Sequence, residues 1–339
     1  MHILDRCLDG LKYGRPQTHL NLTAYPLLVA DSPEPGYVTL AAAKAAGQVS
    51  VHEVSDDGVV RFLLLENTGP NPILVLDGEE LVGAKQNRAA NCTILAPAHE
   101  TTRIPVSCVE AGRWHYDSDE SCEFDVSPDA MFMDGRRAKM ESVTASLRER
   151  GYHASDQDDV WARIDEKAAR MNSHSETDAM ADIYAQNRRT LQTYVDAFAV
   201  ADGQVGAVFA IGRRVEGLEL FDADRTFAEL APKILRSYAI DAMERPLAGV
   251  EPDPVAAPIF VIRVAHARSE IYPAVGLGTD LRLRGHGVIA AGLIFDQQIV
   301  HLAAFAAPGE EQHTDGAGNG DVTDRLRSFL SRQRFRKAA

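Results

Sequence analysis

The chain has 339 residues, of which 45% are hydrophobic and 25% charged, so it can bury one large core or two modest ones. Its formal net charge of −14 repels a phosphate backbone, which argues against nucleic acid as a general partner. No stretch approaches the roughly 20 apolar residues that a membrane-spanning helix needs, so we expect no membrane partner. A local basic pocket for a small anion remains compatible with this composition.

The cysteines, Cys7, Cys92, Cys108 and Cys122, show no Cys-x-x-Cys spacing, so the sequence predicts neither a zinc knuckle nor a dithiol redox motif. Four cysteines in a chain of this length do not resemble a disulfide framework. The first residues carry charges without the long apolar run of a signal peptide. We therefore expect reduced thiols in a cytoplasmic protein, and we predict no cofactor and no metal.

The first part of the chain is predicted to consist of strands joined by short turns. Residues 39–46 are rich in alanine and predict a short helix that ends before Gly47. Residues 49–54 alternate between apolar and polar side chains, and residues 59–66 continue after the turn Asp56-Asp-Gly58, which is typical of a hairpin. Further strands are predicted at residues 20–28, 73–76, 91–95 and 101–109.

The middle of the chain has helical patterns. Ser155 is a favourable N-cap, and the carboxylates of the turn that follows would stabilise the positive end of a helix dipole. Helices are predicted at residues 136–150, from Ser155 onward, and at residues 177–201.

Strand patterns return in the third part. A strand is predicted at residues 205–211, followed by a helix that ends near residue 243. The short gaps between the last predicted strands indicate a meander. These strands are residues 259–264, 274–277, 280–285, 287–295 and 298–305. Residues 308–339 are predicted to be a flexible linker and a basic tail.

This order of strands, helices and strands predicts an α+β fold, with a central helical insert and C-terminal antiparallel strands packed with the first ones. We divide the chain into a strand-rich region (1–115), a helical insert (116–202), a C-terminal α/β meander (203–307) and the tail (308–339). Residues 1–307 could equally form one integrated domain, and two strand-rich halves packed on each other are a further alternative.

The polar stretch from Gly78 to Trp114 is predicted to carry the function. It places long polar side chains beside strand ends, where ordinary turns use small residues. Lysine and arginine can donate to phosphate, glutamine and asparagine can orient a sugar or base, and tryptophan can stack on a ring. The candidate binding residues are Glu79, Lys85, Gln86, Asn87, Arg88, Arg113 and Trp114.

Three residues of this stretch are candidates for catalysis. Glu80 and Glu110 could form an acid/base pair, because two carboxyls can split these roles when their environments differ. In a strand, Cys108 and Glu110 would share one face. The Glu110 carboxylate would disfavour the thiolate form of Cys108, whereas a nearby lysine or arginine of the motif would favour that form. Cys108 is therefore either a nucleophile or a wall of the pocket.

Structural roles are the alternative for the same residues. The glutamates could be solvated, Arg113 could form a surface ion pair, and Cys108 could be a small core residue. His52 and His115 are secondary candidates for acid/base work. A metal site built from Glu80, Glu110 and a histidine is a third alternative, although no spacing supports it.

The motif segments together resemble a known family. They are Tyr37-Val-Thr-Leu, residues 47–54, Asn67, residues 76–88 and residues 104–114. They resemble a poorly characterised bacterial and archaeal family named for its association with ADP-ribosylglycohydrolase and rhodanese/phosphatase-superfamily proteins. The resemblance is strong over residues 20–115, looser through the helices, where it includes Gln157 and Trp161, and weaker in the C-terminal strands. Its recurring polar residues match the candidate residues named above.

What this resemblance implies is a class of ligand and no mechanism. The family's associations suggest metabolism of ADP-ribose or a related nucleotide, including a role in bacterial conflict systems. Two hypotheses follow. One is an enzyme acting on a small anionic substrate such as a nucleotide sugar. The other is a non-catalytic module, in which the motif senses a ligand, contacts a partner or forms a structural hydrogen-bond network.

Overall fold

The computed structural model describes residues 3–55, 59–114, 123–246 and 252–308, which form seven helices and eighteen strands. The helices are α1 Ile3–Asp9, α2 Leu40–Ala45, α3 Met133–Arg150, α4 Gln157–Arg170, α5 Met180–Asp196, α6 Asp224–Ala242 and α7 Ala256–His266. The first nine strands are β1 Lys12–Tyr13, β2 Gln17–His19, β3 Leu22–Leu28, β4 Val38–Thr39, β5 Val49–Glu53, β6 Phe62–Asn67, β7 Ile73–Val75, β8 Glu79–Gly83 and β9 Arg88–Ala90. The others are β10 Ile94–Ala96, β11 Thr101–Cys108, β12 Phe124–Ala130, β13 Gln204–Ile211, β14 Arg214–Phe221, β15 Arg268–Pro273, β16 Thr279–Gly285, β17 Val288–Phe295 and β18 Gln298–Ala306.

Six strands of the N-terminal half form a small barrel. Their order is β12-β8-β9-β11-β6-β5, and a bridge between His52 and Glu123 joins the two outer strands, so the sheet closes on itself. The β5–β6 pair confirms the predicted hairpin. Alternate residues of β5, namely Val49, Val51 and Glu53, are buried, because successive side chains point to opposite faces of a strand.

A second, nine-stranded sheet combines strands from the N-terminal and the C-terminal parts of the described chain. Its order is β1-β3-β13-β14-β18-β17-β16-β15, with β2 paired to β3, and all its pairings are antiparallel. Because β3 pairs with β13, an N-terminal strand lies within the C-terminal sheet. This arrangement confirms the α+β class and the packing of C-terminal strands with the first ones. The division into four segments stays a prediction.

Helices cover both faces of this large sheet. Buried residues of α3, α4, α5 and α6 join one hydrophobic core with the sheet, while α1 and α7 join another. A third core fills the barrel. The small sheet β10-β7-β4 and a bridge between Leu95 and Gly276 connect the barrel region with the C-terminal strands. Within the described ranges, no helix combines the length and apolar character needed to cross a membrane.

Several helices form close to their predicted positions. Thr39 caps α2 by accepting a hydrogen bond from the Ala42 amide at 3.1 Å. The helix predicted from Ser155 is instead capped by Asp156, whose carboxylate accepts from the amides of Asp158 and Asp159. The helix predicted at residues 136–150 begins earlier, at Met133, and the one predicted at 177–201 covers Met180–Asp196.

Other element predictions are wrong. Residues 259–264 lie in helix α7, because a short apolar run does not by itself distinguish a buried strand from a buried helix. Residues 274–277 are not a strand, and the neighbouring strand is β15, residues 268–273. The strand predicted at 91–95 is β10, residues 94–96. The sequence patterns did not predict α1, β1, β2, β4, β8, β9, β12 and β14. Residues 56–58, His115, Cys122 and almost all of the predicted tail lie outside the described residues.

Candidate functional site

One end of the barrel brings the two pieces of the polar motif together. Here β5, β8 and β11 end while β6, β9 and β12 begin, so the turn of residues 84–87 and the chain after Cys108 lie at the same end. Arg88 is paired with both Leu81 and Cys108. Leu81 belongs to the barrel core, so Arg88 and Cys108 share its inward-facing side, and Glu53 continues the inward face of β5. We call this group, Glu53, Lys85, Arg88, Cys108 and Trp114, the barrel mouth.

Arg88 is the central charge of the barrel mouth and is completely buried. Its Nη1 donates to the Gln86 carbonyl at 2.8 Å and to Gln86 Oε1 at 2.9 Å. Nε and Nη2 have no hydrogen-bond partner among the described residues, and Nη2 lies 3.7 Å from the Glu53 carboxylate. A buried guanidinium with unused donors is costly, and it is suited to an oxyanion that can accept from both.

Trp114 covers this guanidinium and is 44% exposed. The Arg88 Cζ atom lies 5.5 Å from the centroid of the indole ring, and Lys85 Nζ lies 5.8 Å from it. Two cations therefore lie within cation–π distance of one aromatic ring. The barrel mouth thus combines two positive charges with a partly exposed indole ring.

Burial sets the protonation of the other two groups in the barrel mouth. It raises the pKa of Glu53 above its ordinary value, although the charges of Arg88 and Lys85 oppose the rise. It also raises the pKa of Cys108 to about 11, which outweighs the positive charge of Arg88. The predicted activation of Cys108 by a motif cation is therefore not supported, because the group is a thiol at neutral pH. Cys108 fits the role of a pocket wall.

Glu110 lies outside the strand, since β11 ends at Cys108, so the strand alternation that predicted a shared face for these two residues does not extend to Glu110. Its carboxylate accepts from Asn87 N at 3.0 Å, Thr177 Oγ1 at 2.8 Å and Arg113 Nε and Nη2, both at 2.9 Å. Burial would raise the pKa of Glu110, but these hydrogen bonds outweigh burial and lower it. The ionised carboxylate has no lone pair left to serve as a base.

Arg113 and the two amides complete this arrangement. Arg113 Nη1 donates to the Ala84 carbonyl at 2.6 Å, and Nη2 also contacts Asn87 Oδ1 at 3.2 Å. Asn87 Oδ1 accepts from Gly83 N at 3.1 Å, and Gln86 Nε2 donates to the Glu110 carbonyl. The hydrogen-bond network of these residues, which we call the turn framework, holds the 84–87 turn against the start of α5. It consists of Gln86, Asn87, Glu110, Arg113 and Thr177.

The two adjacent glutamates of β8 have separate environments. Glu79 accepts from Leu76 N at 2.9 Å and from Lys233 Nζ of α6. Glu80 accepts from Ser127 Oγ at 2.8 Å, and its Oε1 is buried without a hydrogen-bond partner among the described residues. Burial, reinforced by the charges of Asp129 and Glu110, raises the pKa of Glu80 to about 8.

Glu80 does not enter the barrel mouth. It is paired with Ala89, whose side chain belongs to the core between the helices and the large sheet, whereas the next pair, Leu81 and Arg88, faces the barrel interior. His52 alternates with the buried Val51 and Glu53 and so lies on the outer side of β5. No group of metal-binding side chains in the described ranges contains Glu80, Glu110 or His52.

The comparison with known families agrees with the motif. The family described as the ARG and Rhodanese-Phosphatase-superfamily-associated Protein domain matches residues 10–305. The chain belongs to this family. No curated protein and no solved structure matches the chain. Family membership is thereby confirmed, while the reading of its name as a link to ADP-ribosylglycohydrolase stays a prediction.

A second buried network ties this family motif to the large sheet. Lys139 of α3 donates to Asp77 at 2.5 Å, and Arg136 lies 3.6 Å from the same carboxylate. Arg136 also donates to Glu219 of β14 at 2.6 Å, and Glu219 contacts His301 of β18 at 3.0 Å. Such a network is what the structural alternative requires. Gly78 leaves room for the Arg136 side chain. A Cβ at this position would lie only 2.9 Å from that side chain, so a larger residue would collide with it.

The sequence did not indicate the partners that come from outside the polar stretch from Gly78 to Trp114. Glu53, Ser127, Thr177 and Lys233 each contact a motif side chain. Only Glu53 carried a signal in the sequence, since it continues the apolar alternation of β5 with a carboxylate. The others lie far from the motif along the chain, where no local pattern indicates contact.

Proposed function

We propose that the protein binds a small anionic ligand at the barrel mouth, with Arg88 donating to an oxyanion from Nε and Nη2. The observation that carries this proposal is that both donors are buried without a hydrogen-bond partner among the described residues. Mouths of small barrels are common places for ligand sites. The turn framework, by contrast, is satisfied within the protein and serves to hold the turn in place.

A nucleotide is the ligand class that fits the remaining groups. Trp114 offers an exposed indole for stacking with a base, and Lys85 adds a second positive charge beside it. Because Trp114 lies over Arg88, the ligand would enter by displacing the ring and would then stack on it. The family name makes ADP-ribose the first nucleotide to test, with NAD and inorganic phosphate beside it.

Binding is tested by calorimetric titration of the protein with ADP-ribose, NAD and phosphate. We expect Arg88→Met to weaken binding at least tenfold, because the apolar side chain keeps much of the volume and removes the donors. Arg103→Ala is the matched control, since Arg103 is exposed and lies over the Phe62 ring at 3.9 Å. A wild-type protein that binds none of the three probes, or an Arg88→Met variant that binds like wild type, would overturn the proposal.

Catalysis is the second candidate function, and the contrast between two carboxyls favours it. Glu80 holds its proton at neutral pH while Glu110 is ionised, and Glu110 would act as a base only where a substrate displaces one of its four hydrogen-bond donors. Turnover of the same nucleotides is therefore compared between wild type, Glu80→Gln and Glu110→Gln. Equal turnover in all three proteins would exclude the acid/base pair and leave binding alone.

A further inference from the structure

A cavity of about 300 Å³ lies between the start of β6 and residues 152–157, beside the barrel. The start of β6, the β11 residue Val106 and residues 152–157 line it, and its wall is mainly apolar. His153 belongs to this wall and is 9% exposed. Cavities of this size and character are typical of small-molecule sites.

Behind this wall, His153 meets two other side chains that can bind metals. Cys92, His153 and Asp280 are all buried, and one ligating atom of each lies within 4.8 Å of the other two. His153 Nε2 contacts Asp280 Oδ2 at 2.8 Å. Tetrahedral zinc bonds of about 2.0–2.3 Å place ligand atoms about 3.3–3.8 Å apart, so small side-chain shifts would suffice to admit an ion.

Arg282 orients the carboxylate of this cluster. Its Nε donates to Asp280 Oδ1 at 2.6 Å and its Nη2 to Oδ2 at 2.7 Å. Contacts of this kind from outside the coordination shell commonly fix the direction of a ligating carboxylate. Oδ2 is shared between Arg282 and His153, so an ion could take the place of the His153 contact while Arg282 keeps both of its hydrogen bonds.

We propose that Cys92, His153 and Asp280 form a zinc-type metal site whose fourth position faces the cavity. A thiolate, an imidazole and a carboxylate are donors that Zn²⁺ accepts together, and three protein ligands with one open position are the pattern of catalytic rather than structural zinc. As the ion binds, the Cys92 thiol releases its proton to solvent and the sulfur coordinates the metal.

The charges around the site define what the fourth position would take. Zn²⁺ with one thiolate and one carboxylate is neutral, and the adjacent Arg282 leaves one positive charge. The open position would therefore take hydroxide or an anionic group of a ligand held in the cavity. None of the three metal ligands is a barrel-mouth residue, so the test of this site does not depend on the test of the proposed function.

Cobalt is the probe for this site, because a thiolate bound to Co²⁺ gives a charge-transfer absorption that aqueous Co²⁺ lacks. The full chain is stripped with chelator, titrated with Co²⁺ under reducing conditions and then with Zn²⁺. We expect one Co²⁺ per chain with a thiolate band, and displacement by Zn²⁺. Cys92→Ser should abolish the band, and Cys7→Ser, the matched control, should retain it.

Folding of each variant is checked by far-UV circular dichroism before titration. If Cys92→Ser does not fold, His153→Gln replaces it, with an expected loss of at least tenfold in Co²⁺ affinity. Absence of a thiolate band in the wild-type protein, or its persistence when Cys92 is replaced, would overturn the proposal and leave Asp280, His153 and Arg282 as a structural ion-pair network.

Discussion

The turn framework and the barrel mouth lie side by side in one motif, yet they treat buried charge in opposite ways. In the turn framework, the Glu110 carboxylate accepts four hydrogen bonds and its pKa falls. In the barrel mouth, Arg88 keeps two donors without a hydrogen-bond partner among the described residues, and the pKa of Glu53 rises. A satisfied network stabilises the fold, whereas unused buried donors cost stability unless a ligand accepts from them.

The largest effect is expected in the turn framework. Glu110→Ala leaves the buried Arg113 guanidinium without its carboxylate, so the free energy of unfolding should fall by about 3–5 kcal/mol. Urea denaturation measures the loss. Glu270→Ala is the control, because its pair with Arg148 is exposed on both sides, and it should cost at most about 1 kcal/mol. Equal losses in the two variants would contradict the distinction between the turn framework and surface ion pairs.

Glu80 is a further buried carboxyl, and the dependence of stability on pH tests how its environment shifts its pKa. Its folded-state pKa of about 8 lies above the ordinary value of 4.5, so the folded protein holds a proton that the unfolded chain releases between these values. The stabilising effect is complete below the unfolded pKa and is lost as pH rises toward about 8. Thermal melts should therefore show Glu80→Gln equal to wild type near pH 4 and more stable near pH 8. A difference independent of pH would refute the raised pKa.

Arg88→Met separates the two regions most directly. We expect at least tenfold weaker binding of ADP-ribose with a smaller loss of stability than Glu110→Ala, because the variant removes a guanidinium that is only partly satisfied. Calorimetry and urea denaturation of the same preparations measure both effects. A stability loss as large as that of Glu110→Ala, with unchanged binding, would assign Arg88 to the turn framework.

The smallest effect is expected from Glu53. Its carboxylate lies 3.7 Å from Arg88 and would compete with an incoming anion, so protonation of Glu53 should favour binding. Because burial raises the pKa of Glu53, affinity for ADP-ribose should fall as pH rises through that pKa, with a total change smaller than the loss expected for Arg88→Met. Glu53→Gln should flatten this dependence. A wild-type affinity that does not change between pH 5 and pH 8 would argue against the competition.

Local patterns in the sequence predicted three of the six barrel strands, β5, β6 and β11. The alternation before and after Asp56-Asp-Gly58 predicted the β5–β6 hairpin, and the alanine-rich residues 39–46 predicted α2. The predictions that failed are those in which a local pattern is ambiguous. Residues 259–264 could be strand or helix by composition, and only their packing between the large sheet and α1 selects the helix.

For the candidate site too, local sequence predicted one part and tertiary structure decided the other. The sequence by itself determined which residues are chemically active, since the density of long polar side chains from Gly78 to Trp114 is visible without a structure. Tertiary structure decided their roles. Closure of the barrel directs Arg88 inward and Glu80 outward from adjacent residue pairs. Thr177, just before α5, and Lys233 of α6 reach Glu110 and Glu79 from far along the chain. A strand's period of two makes side chains alternate, but the fold decides which face meets which partner.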